Sequence, residues 1–354
     1  MTRSDNPGRY LPPALAAVLL LVLGPATLAT AQPAPVVRGE GVPPEAERIY
    51  RRGLEFLART QRSDGSWQTS YRYAVTSLSL LAFLAHGDDP NFGPYAKNVR
   101  AALRFIVSGQ NEKTGFIGQS MYEHGFSMLA IAEAYGTVDE SRLWEGRSPP
   151  KRSLAKTLEL AVRCAVTSQK RNTMSAWRYS PSSPDADTSV AGAVLVGLLA
   201  ARNAGIEVPD KVIDGALGYF RSMTSESGYV GYSGGFGGFG ESMNRSCIAT
   251  LVFAIGKKKK WPQFGYALKH ITSNIEHEER GYPMYFRYYA AQAYFHGNLG
   301  AWQQWNRNLI KDLAAEQSDD GDIGQARMGG PAYSTAMSLL ALALNFRFLP
   351  IYER

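Results

Sequence analysis

Two kinds of apolar segment alternate along the chain. In the first kind, apolar residues recur on one stripe: Ile49, Phe56 and Leu57 with Gly53 between, then Val99, Ala102, Leu103 and Ile106, then Leu154, Leu158, Ala161 and Ala165. The same spacing returns at Ile213, Ala216, Leu217 and Phe220, at Phe264, Ala267, Leu268 and Ile271, and at Trp302, Trp305 and Leu309. Steps of three and four place these side chains on one helical face and leave the other to water. In the second kind, Leu78–Leu84, Phe126–Ala134, Val190–Ala201, Cys247–Ile255, Tyr288–Phe295 and Met337–Leu344 are apolar nearly all round. A helix with no polar face has to be covered on every side.

The alternation predicts six helix hairpins, each an amphipathic outer helix, a turn holding glycine and an aromatic residue, and a fully covered inner helix. An open stack of such units would expose apolar ends unless capped, and neither terminal unit reads as a polar cap. Closure is therefore expected. The fold class predicted is all-α, a single α6/α6 toroid of two concentric helical rings spanning residues 44–354. This repeat reading overrides the two domains that 354 residues would otherwise suggest.

The turn Gln61-Arg62-Ser63-Asp64-Gly65-Ser66-Trp67 resembles the Gln…Gly-x-Trp repeat of squalene and oxidosqualene cyclases. Gln317 to Ile323 is a second copy with Ile in place of Trp, and Gln110 to Phe116 a degenerate third. The mature chain is similar to the terpenoid-cyclase and protein-prenyltransferase superfamily. That resemblance implies the toroid and a pocket at one end of the inner barrel. It implies nothing about chemistry, because the motif fastens an outer helix to its turn.

The first 31 residues read as a secretory signal peptide: Arg3 and Arg9, the apolar stretch Ala14–Leu23, and the small-residue site Ala29-Thr30-Ala31. The apolar stretch falls short of the roughly 20 residues that span a bilayer, and no cysteine marks a lipoprotein anchor. Residues 32–43 form a Pro-rich linker. Export to a periplasm or the exterior follows, with the signal either cleaved or kept as an anchor and no later transmembrane span. An oxidising compartment allows Cys164 and Cys247 to pair or to remain two buried thiols. Apolar residues at 45% and charged residues at 19% exclude a disordered chain. The net charge of +7 is scattered, apart from Lys257–Lys260, and no nucleic-acid motif accompanies it.

Candidate chemistry gathers where a toroid brings the starts of its inner helices together: Tyr73; Tyr122, Glu123 and His124; Asp185 and Asp187; Asn244 and Arg245; Tyr285 and Arg287; Tyr333. These read either as pocket lining or as caps and mutual partners within the helix ends. Pro184-Asp185-Ala186-Asp187-Thr188-Ser189 resembles the Asp-x-Asp-Asp-Thr motif of protonation-initiated terpene cyclases. The resemblance casts Asp187 as catalytic acid with Asp185 beside it, while Thr188 replaces the third Asp. Against the zinc site of protein prenyltransferases, Arg245-Ser246-Cys247 has lost its Asp, and Tyr333-Ser334-Thr335 has lost its His. One soft ligand does not hold catalytic zinc, so no metal, no cofactor and no zinc-dependent prenylation are expected. Gly235–Gly240 spells G-x-G-x-x-G but lacks the strand–turn–helix setting of a nucleotide site.

Three functions follow from this reading. One is an exported, non-catalytic binding or scaffold toroid, whose partner is an apolar or isoprenoid small molecule, an extracytoplasmic protein, or a glycan. Another is a terpene-cyclase-like enzyme using Asp187. The last is a carbohydrate-active toroid, which requires two facing carboxylates about 5–10 Å apart, with Glu123, Asp187 and Glu241 as candidates.

Overall fold

The computed structural model describes residues 41–67, 69–146, 152–233, 242–324 and 329–352. The expected signal peptide, the linker up to residue 40, the Gly235–Gly240 segment and Glu241 lie outside the described residues. Among those described the secondary structure is helical, with isolated two-residue bridges and no strand.

The helices follow in hairpins. α1 (Pro44–Thr60) precedes α2 (Arg72–Ala85), and α3 (Ala96–Ser108) precedes α4 (Met121–Ala134). After a single turn, α5 (Glu140–Leu143), come α6 (Leu154–Arg171) and α7 (Thr188–Asn203). Then α8 (Asp210–Met223) pairs with α9 (Met243–Ile255), α10 (Pro262–Ser273) with α11 (Pro283–Gly297), and α12 (Leu299–Glu316) with α13 (Gly330–Leu342). Each stripe read from the sequence falls in the first helix of a pair, and each all-round apolar segment in the second. One boundary moves: the segment Met337–Leu344 leaves the α-helix at Ala343 and finishes as a 3₁₀ turn, Ala343–Asn345.

The two helix types bury themselves as their patterns require. α1 buries Ile49, Leu54 and Leu57 while the ion pairs Glu45–Arg48 and Glu47–Arg51 lie on its outer face. In α7 every residue from Val190 to Ala201 is buried. α2 packs on α4, α4 on α7, α7 on α9, α9 on α11 and α11 on α13; α13 packs on α2, which returns the succession to its start. α1 likewise lies against α12 and α13. The fold is thus an α/α toroid.

The Gln turns hold neighbouring hairpins together. Gln61 Nε2 donates to Gly65 O within its own turn and to Asn98 O of α3, at 2.9 and 3.1 Å. Gln110 does the same to Gly115 O and Thr157 O of α6, and Gln317 to Gly321 O and Ile49 O of α1. The last of these ties the final hairpin to the first. The Trp67 indole donates to Leu57 O at 3.1 Å and is buried, so it closes the end of α1. A further copy appears at Gln169, which donates to Ser175 O and Val212 O of α8, with the buried Trp177 donating to Ala165 O. In the other turns buried Ile117, Val230 and Ile323 fill the Trp position.

Cys164 and Cys247 are both free and buried. Burial pushes the Cys164 thiol up to about 11 and raises Cys247 as well. No helix among the described residues is long and apolar enough to cross a membrane.

Candidate functional site

The starts of the inner helices are built from side chains that cap, lace and stack. Asp187 is the N-cap of α7: its Oδ1 accepts from Ser189 N and Val190 N at 2.8 and 3.0 Å. The helix N-terminus leaves backbone N–H groups without internal partners, and a short carboxylate satisfies them. Asp187 is wholly buried, yet its Oδ2 has no hydrogen-bond partner. The Tyr232 hydroxyl stands close enough for this carboxylate to help raise its pKa, after burial, but does not complete a hydrogen bond to Oδ2. The Asp187 charge also reaches Tyr219, Tyr285 and Arg245.

Around Asp187 the loops are pinned by backbone. Thr188 N donates to Tyr232 O, Thr188 Oγ1 donates to Gly231 O, and Met121 N donates to Tyr179 O. Arg178 bridges Asp185 Oδ2 and Ser233 Oγ at 2.6 and 2.8 Å. Arg245 donates through Nε to Val230 O and lies over the Tyr232 ring, 5.7 Å from its centroid. Burial lowers its pKa while Asp187 opposes that shift.

Aromatic rings meet inside the inner circuit. Tyr122 of α4 lies 6.1 Å from Tyr285 of α11, and Phe126 lies 6.0 Å from Tyr288. Tyr289 packs edge-on to both Tyr285 and Tyr288. α4 packs between α2 and α7, and α11 between α9 and α13, so these contacts reach between helices that are not neighbours in the circuit. They form an aromatic stopper across the inner circuit, its Tyr285 within reach of the Asp187 charge. Burial raises the hydroxyls of Tyr122, Tyr285, Tyr289 and Tyr333 well above the ordinary tyrosine value.

The remaining sequence candidates are tied up locally. His124 accepts from Ile117 N at Nδ1 (3.1 Å) and donates from Nε2 to Ala161 O (3.0 Å). Burial lowers its pKa to about 4, against the opposing effect of the Ala161 carbonyl, and it stays neutral. Thr335 plays the same part in the last hairpin, accepting from Ile323 N. Glu123 accepts from Tyr73 N and Gln119 N, one bond to each carboxylate oxygen. Arg287 forms a two-bond ion pair with Glu316, 2.7 Å at Nη1. Tyr73 turns outward and stacks on Phe105 of α3. Asn244 is buried with Oδ1 unpartnered.

The structure thus brings Asp187, Arg245, Tyr122, Tyr285 and Tyr333 together and engages Glu123, His124 and Arg287 elsewhere. The sequence reading missed Tyr179, Arg178 and Tyr232, which sit in loops without periodicity, and Tyr219, whose position in the outer helix α8 gave no signal of proximity to Asp187. Among the described residues no group of His, Cys, Asp and Glu is placed to hold a metal ion.

The sequence matches no protein-family model and no curated protein. Solved structures do match. The GH76A α-1,6-mannanase from Salegentibacter sp. HEL1_6 superposes with a TM-score of 0.59 at 11% identity, over 84% of this chain and 98% of that one. The Lin0763 protein from Listeria innocua gives 0.56 at 11%, over 84% and 96%. An α-amylase from Clostridium perfringens gives 0.56 at 11%, over 86% and 99%. At such identities the likeness shows the architecture alone. The chain has the α/α toroid fold.

Proposed function

We propose that this chain is an exported α6/α6 toroid, residues 44–354 behind a signal peptide (1–31) and a linker (32–43), that acts without catalysis as an extracytoplasmic binding module. Its ligand site is at the inner-helix N-termini, where the exposed Tyr179 and Tyr232 and the Arg178–Asp185 pair stand beside the buried Asp187. The six hairpins and the return of α13 to α2 support the ring count.

The observation that carries this reading is the aromatic stopper. A polyene folded for cyclisation needs a deep apolar chamber, and the Tyr122–Tyr285 and Phe126–Tyr288 contacts occupy that depth. A second reading, with Asp187 as the acid of a terpene-cyclase-like enzyme, draws on its free Oδ2; the stopper takes the room that reaction requires. For a paired-carboxylate hydrolase, Glu123 is already spent on two backbone N–H groups.

Thermal-shift titration of the mature chain against neutral oligosaccharides and polyprenols tests the proposal. Saturable stabilisation by one class is expected, weakened in Asp185→Ala, which removes the exposed partner of Arg178. Stabilisation equal in both proteins contradicts the placement of the ligand at the Arg178–Asp185 pair.

A further inference from the structure

Large exposed aromatic rings need a reason, because burial in the core is their usual fate. Tyr179 is 49% and Tyr232 37% exposed; the two stand beside each other, and Tyr232 beside Asp187. Their backbones are fixed, since Tyr179 O accepts from the start of α4 and Tyr232 O from the start of α7. The rings are therefore presented on pinned loops, with only two side-chain torsions each to order on binding. Tyr71 and Tyr282, at the starts of α2 and α11, are also exposed, at 46% and 58%. Four exposed tyrosines thus lie at the same end of the inner helices.

Beside these two rings the charges come in opposite pairs. Arg178 and Arg245 stand with Asp185 and Asp187. Either sign of charged ligand would meet a like charge, and an apolar chain would take the half-exposed Arg178–Asp185 pair out of water. A neutral, hydroxyl-rich ligand meets neither cost. Its hydroxyls can donate to the half-exposed Asp185 and accept from Arg178. The C–H face of a pyranose ring carries the weak positive charge that an aromatic face attracts.

We infer that this end of the inner ring binds a neutral oligosaccharide, one sugar ring stacking on Tyr179 and Tyr232 while its hydroxyls engage the Arg178–Asp185 pair. This rests on the binding-module reading above and names its ligand class. The spread of Tyr71 and Tyr282 round the rim suits a chain of several sugars.

The test is calorimetric titration of the mature chain with mannohexaose and with maltohexaose, with a detergent-solubilised polyprenol as the contrast. At least one saccharide is expected to bind saturably. Tyr179→Ala and Tyr232→Ala should each weaken it about tenfold, whereas Tyr179→Phe, which keeps the ring, should stay within about twofold. Near-ultraviolet difference absorption of the wild-type protein provides a readout free of variants: stacking perturbs the tyrosine band, and a flat difference spectrum at saturation contradicts it. Polyprenol binding with no saccharide binding overturns the saccharide inference and leaves the binding module standing. If neither class binds, the module reading falls too. Undiminished saccharide affinity in the double alanine variant places the site elsewhere.

Discussion

Replacing Gly321 by alanine strikes the contact that joins the last hairpin to the first. Gly321 has φ of +92°, and a Cβ built there would lie 2.4 Å from Arg52 O of α1. The left-handed backbone alone costs an L-residue roughly 1–2 kcal/mol. The clash is with backbone, so the turn has to move away from α1. Doing so breaks the Gln317 bonds to Ile49 O and Gly321 O and the Arg52 bonds to Ser318 O and Asp319 O. Hydrogen bonds of this kind contribute about 1 kcal/mol each. With partial relaxation, a loss of about 3 kcal/mol is expected, which in a domain of this size lowers Tm by about 6 °C. The control is Gly265→Ala on the exposed face of α10, where a Cβ meets nothing within 4 Å. There the loss of unfolded-state freedom should raise stability by about 0.5–1 kcal/mol. Both are read by circular dichroism melts on the mature chain. A Gly321→Ala variant melting within 1 °C of wild type would refute the closing role of this turn.

Other substitutions separate the structural from the binding residues. His124 is held at about 4 against an unperturbed 6.5, so the unfolded chain takes up the proton first as pH falls. Stability from this site is complete above pH 6.5 and is lost between there and pH 4, by up to about 3 kcal/mol; urea titrations should show that loss in wild type and a flatter profile in His124→Gln. Glu123→Gln cannot accept both backbone N–H groups, and should cost about 1–3 kcal/mol in urea denaturation while leaving ligand affinity unchanged. Trp177→Phe removes the indole bond to Ala165 O and leaves a void, so a melting loss of about 2 kcal/mol is expected.

The helices were legible because each has one environment: a stripe for the outer ones, full cover for the inner ones. Period carries that information locally. The Gln turns were legible where Gly and Trp keep their spacing, as at Gln61–Trp67. The copy at Gln169–Trp177 was not, because two extra residues separate its ends and Ser175 takes the left-handed position that glycine fills elsewhere. The turn from Thr224 to Val230 hides its place because it has lost the Gln altogether. The gathering of residues at the inner-helix starts followed from the ring, but their partners did not. Whether Glu123 and His124 face a ligand or a neighbouring backbone N–H depends on loops whose course has no period. The stopper was illegible for a related reason, since Tyr122 and Tyr285 come from helices far apart in sequence and meet only across the closed circuit.

A single chromatogram bears most directly on a ring that is stopped by its own aromatic side chains and binds without turning over. Purified mature protein is incubated with squalene and with a linear polyprenol, and the extract is analysed for cyclic products beside the Asp187→Asn variant. Both polyenes should be recovered unchanged from both proteins. A cyclised product made by the wild type and missing from the variant would mean that the interior opens to a substrate and that Asp187 delivers a proton to it.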